Sequence, residues 1–498
     1  MIQQVGAARW TTGNNREERN AVVLANRGKG VLSEGWVVFG LSLIFNALGA
    51  YLVAVRLNIV VSDVMQRTVQ AWLILAGNTM QLPSIDNALP TMLNLPLVLL
   101  EPLREGGIWA GLLTAFCGSL TCSVLNRILS DWNIGRRWRY PMLVLFALNP
   151  MILFQSSNGS SEMIFVLLII LSLWLLLTWH RTDALQPMIL LGFVTGLAAL
   201  TRVEALVYAV VLLGIVWLLA RQSAYSQRDR AYALLIAFFT PVIFTVGAWI
   251  LSDALITNVP LYFIRGANYD SAQFDHWLNA ILLRDHVLII PFGFIVAGKI
   301  VANVSTNWRR IAPIVSVLVL LALGASTIAS GVAMAKSSEP GEMNDAFLKG
   351  LLAQQPADSW KDEREIASYL REHAGKRRVL VDDPEGYRII FFTHRPELFI
   401  TAGDVGFEQV LRSPIGRIDY VLVRTRQLNR EAGPSLNREE IERRAGLSLG
   451  REEIERRAAQ VNKQYPRVYV YEGTDSWISL IRDWPASGWR LYRVSMQN

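Results

Sequence analysis

Apolar runs long enough to cross a bilayer recur from Trp36 to about Ala335, as in "WVVFGLSLIFNALGAYLVAV" and "SEMIFVLLIILSLWLLLTW". A helix of about 20 residues rises about 30 Å, the hydrocarbon thickness of a membrane, so each such run predicts a transmembrane helix. The predicted spans are 36–57, 107–128, 140–155, 162–179, 187–201, 205–220, 231–251, 282–302 and 311–335. One further apolar piece, "ALPTMLNLPLVLLEPL" (88–103), is short and interrupted by Pro90 and Pro96. Its pattern alone fits a span, a re-entrant segment or an interfacial one.

Beyond 335 the pattern changes to alternating helix and strand signals, a length suited to one soluble domain over 336–498. "DEREIASYLREHAG" predicts an amphipathic helix closed by Gly375. The runs "RVLVDD", "RIIFFT", "ELFITA", "DYVLVRT" and "WRLYRVS" predict strands, and the alternation predicts a small α/β domain. Within it "SLNREEIERRA" recurs as "SLGREEIERRA", so 435–458 is a duplicated, charged surface insertion. Pairs such as Glu439–Arg443 support short helices there, yet Ile441 and Ile454 are nearly the only apolar side chains, too few to bury a face.

Composition agrees with the pattern: 52% of the 498 residues are hydrophobic and 18% charged, too apolar for an ordinary soluble protein. Residues 1–35 form a basic tail ahead of an apolar run too long for a signal h-region, which predicts a retained first span. The net charge of +7 is explained by membrane topology rather than by nucleic acid. Cys117 and Cys122 share one span and predict no disulfide framework.

Charge also decides sidedness. If 88–103 does not cross, the cytoplasmic segments hold sixteen Lys and Arg against six outside; if it crosses, nine inside face thirteen outside. The positive-inside rule selects the first topology. It places the N-terminus in the cytoplasm, and it places the first loop (58–106), "QSSNGSSE", "TRVE", the 258–277 loop and the 336–498 domain outside.

Chemistry-bearing residues collect on that predicted outer side. Asp63 follows the first span with Arg67 one helical turn on; Glu162 opens a span, and Arg202 stands two residues before Glu204. A carboxylate at the membrane surface costs free energy unless paired or hydrated, so each is a candidate site residue as well as a candidate interfacial ion pair. No Gly-rich phosphate loop, nucleophile elbow or His pair at metal-ligand spacing occurs, so no organic cofactor is expected. Asp275 with His276 leaves a divalent ion or a phosphate open, and Asp382 with Asp383 ends a strand where either a turn or a ligand fits.

The order of these features resembles the GT-C superfamily of membrane glycosyltransferases, which includes protein mannosyltransferases, aminoarabinose transferases and other glycosyltransferase family 39-like proteins. "SDVMQRTVQAW" follows the first span; a proline-flanked piece, "LPTMLNLPLVLL", comes next. "ALNPMILFQSSNGSSEMIF" is similar to the superfamily's N-P…S-x-x-S-E pattern, and "GLAALTRVEALVYA" to its G-L-A-x-L-x-R-x-E-A stretch. The resemblance covers about 36–220 by motif and the rest by architecture.

It implies a polytopic α-helical membrane protein of about nine spans, GT-C-like, with a C-terminal extracytoplasmic α/β domain. The implied reaction is inverting transfer of a sugar from a polyprenyl-phosphate donor to a glycan, lipid or protein acceptor. Asp63 matches the catalytic acid, and Glu162, Arg202 and Glu204 match positions near the donor's phosphate or sugar. Arg67, Arg202 or Arg265 could meet the leaving phosphate, since arginine's planar fork suits it, while Asp86 and His276 join the substrate-binding candidates.

Two departures stand out. Ser62 sits where many relatives carry a second acid, and "IDNALP" replaces an aromatic W-P-P or P-P-L stretch and brings in Asp86. The sugar and subfamily stay open. A non-catalytic transporter or envelope assembly protein is the rival reading, though transporters place ionisable groups at mid-membrane in repeated halves, and no repeat of that kind is visible. An inactive relative whose outer domain senses a ligand is a third.

Overall fold

The structure is a computed structural model. It describes residues 34–77, 88–99, 107–202, 204–221, 227–257, 286–307, 311–336, 343–353, 360–375, 378–381, 386–401, 404, 406–424, 477–485 and 487–495. Asp86, Arg265, Asp275, His276, Asp382, Asp383 and the 435–458 insertion lie outside the described residues. The chain divides into two compact units: 1–61 with 107–248 and 269–357, and 62–106 with 249–268 and 358–498.

The first unit is helical: α1 (Glu34–Arg56, ending in a π turn over Leu52–Arg56), α4 (Gly107–Asp131), α5 (Arg136–Ala147), α6 (Pro150–Gln155), α7 (Ser161–Thr182), α8 (Leu185–Thr201), α9 (Ala205–Arg221), most of α10 (Gln227–Thr257), α11 (His286–Asn307), α12 (Ala312–Lys336) and α13 (Asn344–Ala353). The numbers α2 and α3 belong to the second unit. Glu34–Arg56, Gly107–Asp131, Ser161–Thr182, Tyr232–Ser252 and Ala312–Ala335 are each long and apolar enough to cross a bilayer. Together they mark a membrane protein. The spans predicted at 187–201, 205–220 and 282–302 fall on helices whose apolar stretches are shorter: Leu185–Thr201, Ala205–Leu219 and Ile290–Val304.

Which faces stay exposed follows from what the solvent is. On α1 the side chains of Val37, Leu41, Ile44, Leu48, Tyr51 and Val55 form an exposed apolar stripe with alternating steps of three and four residues. Water would penalise such a surface, whereas hydrocarbon does not. The opposite face carries Asn46 and Ala50, which meet Gly118 and Gly111 of α4, and Gly49, which meets Leu153 and Ser157; Asn46 donates to Ser119 Oγ at 3.2 Å. Small residues and cross-helix hydrogen bonds are what holds helices together where no hydrophobic drive separates them from lipid.

The span predicted over 140–155 is two helices instead. Asn149 leaves the α region, its carboxamide oxygen accepts from the amides of Met151 and Ile152, and Pro150 occupies the first helical position. Proline disfavours a helical residue before it and is at home at a helix start, so the N-P pair breaks and restarts the helix.

Basic residues assigned to the cytoplasm meet at one end of this unit. Arg127 and Arg181 both pair with Asp131, Arg136 and Arg139 pair with Glu34, and the Lys299 ammonium lies 5.4 Å from the Trp132 ring.

The second unit joins α2 (Ser62–Leu75) and α3 (Ala88–Leu99) to the C-terminal elements: α14 (Lys361–His373), β1 (Val379–Val381), α15 (Gly386–Thr393), β2 (Phe399–Ile400), α16 (Phe407–Arg412), β3 (Tyr420–Arg424), β4 (Ile478–Trp484) and β5 (Trp489–Val494). The sheet order is β2-β1-β3-β5-β4, parallel across the first three strands and antiparallel across the rest. Helix α14 buries Glu363, Ile366, Ala367 and Leu370, one face of a helix, and Gly375 beyond its end takes φ +58°.

One segment departs from the expected strand pattern. "RIIFFT" is not a strand but most of α15, which packs against both α14 and α2. A helix covered on two sides must be apolar nearly all round, and a short run of that kind cannot be told from a buried strand by periodicity. Strand β4 lay outside the expected strands; its middle is solvent-facing and lacks an apolar run.

Candidate active site

Asp63 is the second residue of α2, just past the first span. Arg67, one turn on, reaches back: its Nη2 lies 3.0 Å from Asp63 Oδ2 and its Nε donates to the Asp63 carbonyl at 3.2 Å. The pair is asymmetric in burial. Arg67 is 2% exposed while the Asp63 side chain is 29% exposed. A buried arginine therefore braces a carboxylate that a ligand can still reach. Charge-assisted bonds of this kind fix direction more strictly than neutral ones.

The residue before Asp63 is held as well. Ser62 Oγ lies 2.5 Å from Tyr387 Oη, and Arg388 donates to Ser62 Oγ from Nη2 at 3.2 Å and Nε at 3.4 Å. Both partners come from the start of α15. Ten residues beyond Ser62 along α2, Trp72 stacks on Phe391, with centroids 5.9 Å apart and planes at 17°. Tyr387 and Arg388 were not among the sequence candidates. No spacing rule links Ser62 to residues 325 and 326 positions away, and the run that starts at Arg388 reads as a strand.

Glu162, Arg202 and Glu204 come together in the first unit. Arg202 Nη1 lies 3.0 Å from Glu162 Oε1, and Arg202 Nη2 lies 3.1 Å from Glu204 Oε1. Backbone geometry makes this meeting possible. Arg202 ends α8 in an extended conformation (φ −150°), so its side chain leaves the helix axis at the break before α9. Glu162 sits in the first turn of α7.

That turn is anchored by buried polar groups. Gln155 Oε1 accepts from Asn158 Nδ2 at 3.1 Å and Ser160 Oγ at 2.6 Å, Asn158 Oδ1 accepts from the Ser160 amide, and Thr114 Oγ1 from the Gly159 amide. Glycines of α4 admit it: a Cβ at Gly111 would stand 2.7 Å from the Ser157 carbonyl oxygen.

Among the described residues, nothing donates to one carboxylate oxygen of the triad, the buried Glu162 Oε2. A buried acceptor left unmade costs about 1–3 kcal/mol, more when charged, so the oxygen is a natural place for a ligand donor. The three side chains carry two negative charges against one positive, which suits hydroxyl donors better than a phosphate. Among the described residues no three His, Cys, Asp or Glu gather as metal ligands.

No family model matches the chain, and no curated protein matches it. Among solved structures it is similar to the crystal structure of ArnT from Cupriavidus metallidurans bound to undecaprenyl phosphate, at 11% identity, over 81% of this chain and 95% of that one, with a TM-score of 0.44. Likeness at that level assigns neither an activity nor a site residue to this chain.

Proposed function

We propose that the chain is a membrane glycosyltransferase of the GT-C kind, moving a sugar from a polyprenyl-phosphate donor to an acceptor at the outer membrane face. The observation that carries this reading is the reachable Asp63 carboxylate braced by the buried Arg67 at the start of α2. The motif order from the first span to "TRVEALVYA" supports it.

In this reading Asp63 takes the proton of the acceptor hydroxyl as that oxygen attacks the sugar's anomeric carbon from the face opposite the phosphate. The new glycosidic bond forms, the carbon–oxygen bond to phosphate breaks, and the lipid phosphate leaves with the electron pair, inverting the centre. Arg67 acts through Asp63, holding its carboxylate in one direction. Glu162, Arg202 and Glu204 match the motif positions that the resemblance assigns to the donor, and they form an ion-paired cluster of their own in the first unit. General-base help of this kind contributes about 100- to 10,000-fold.

The test uses purified protein in lipid discs with a radiolabelled polyprenyl-phosphate sugar and a hydroxyl acceptor. Asp63→Asn, which keeps size and loses the base, is expected to lower transfer at least about 100-fold with donor binding retained. Transfer by Asp63→Asn at the wild-type rate overturns the assignment of the base.

A further inference from the structure

We infer that Tyr387 and Arg388, at the start of α15, are positioning residues for Asp63; the inference rests on the transferase reading. Both grip Ser62 Oγ, the side chain next to the proposed base. Arg388 is itself fixed, with its guanidinium carbon 4.2 Å from the centroid of the Trp360 ring. Farther along α2, the Trp72–Phe391 stack holds the same helix to the same partner. Two attachments about 15 Å apart along one axis stop α2 from turning as well as from sliding.

Rotation is what matters for a base on a helix. A carboxylate stands about 6 Å from the helix axis, so a turn of about 20° carries it about 2 Å sideways. A misplacement of about 1 Å can cost about 100-fold in rate. The ion pair to Arg67 cannot prevent such a turn, because both residues ride on α2 and move with it. Only groups from another element can, and the Ser62 contacts come from one. Serine at 62 is the chemistry this needs: a hydroxyl can accept from the guanidinium while still bonding the phenol, whichever of the two oxygens donates.

The test uses the full-length protein. Ser62→Ala and Arg388→Ala are each expected to lower kcat for transfer about 10- to 100-fold with KM unchanged. Ser62→Thr, which keeps the hydroxyl, is expected to return kcat to within about threefold of wild type, since the grip is on that oxygen. The Ser62→Ala/Arg388→Ala double variant is expected to lose no more than the worse single one, as for residues acting as a unit. Hydrogen exchange over 62–75, measured without substrate, is expected to rise in Arg388→Ala and not in Ser62→Thr.

Losses that multiply, a change confined to KM, or unchanged exchange over 62–75 with an active wild type overturns the positioning role. A wild type that transfers nothing overturns the transferase reading and the positioning role with it, while the exchange result still reports the grip on Ser62.

Discussion

Arg202 holds two carboxylates with one guanidinium, its Nη1 toward Glu162 and its Nη2 with Nε toward Glu204. That forked use of the side chain separates arginine from lysine. Arg202→Lys keeps the charge but cannot span both acids, and transfer is expected to fall about tenfold or more, read as kcat/KM for the lipid-linked donor. Arg202→Gln leaves two carboxylates without their cation, so its melting temperature in detergent is expected to fall as well. The sequence made all three residues legible as candidates because each stands at the edge of an apolar run, where a charge is conspicuous. It did not show that one arginine serves both acids, which depends on the extended backbone at 202.

At the scale of elements, the break between α6 and α7 is built by close approach. Gly118 would place a Cβ 2.5 Å from Ser156 Oγ, and Gly111 would place one 2.7 Å from the Ser157 carbonyl oxygen. Gly111→Val is therefore expected to displace the polar turn that sets Glu162, costing about 1–3 kcal/mol as for an overfilled core. Thermal unfolding in detergent measures it. Asn149→Ala removes the acceptor for the Met151 and Ile152 amides and is expected to cost about 1 kcal/mol in the same assay. Helix α14 and strands β1, β3 and β5 were legible because amphipathic spacing and β-branched runs are local signals. Helix α15 was not, since its apolar faces answer to α14 and α2, which the local sequence cannot name.

For the whole molecule, the apolar spans were plain from composition, because lipid-facing surface demands apolar residues, whereas the compact units divide at 357/358 rather than at the composition change at 336. Sidedness is a prediction of the charge count. Ala445→Cys is expected to react with a membrane-impermeant thiol reagent on intact cells. Background is low, since Cys117 and Cys122 are both buried. Protection of the new thiol until the membrane is opened would place the C-terminal domain in the cytoplasm and move the proposed chemistry there. Grouping of α2 with residues 358–498 in one compact unit was the part least visible in the sequence, because no local pattern records a partner so distant.

The bond between Ser62 and Tyr387 also sets a clock for biogenesis. Its partners are 325 positions apart. At about 5–20 residues per second, the ribosome finishes the second partner roughly 15–65 s after the first. Until then α2 waits in the growing chain without its clasp. A chain stopped short of α15 would reach the membrane with the proposed base present and its proposed clasp missing, so the proposed transfer would begin only after that domain has been made and folded.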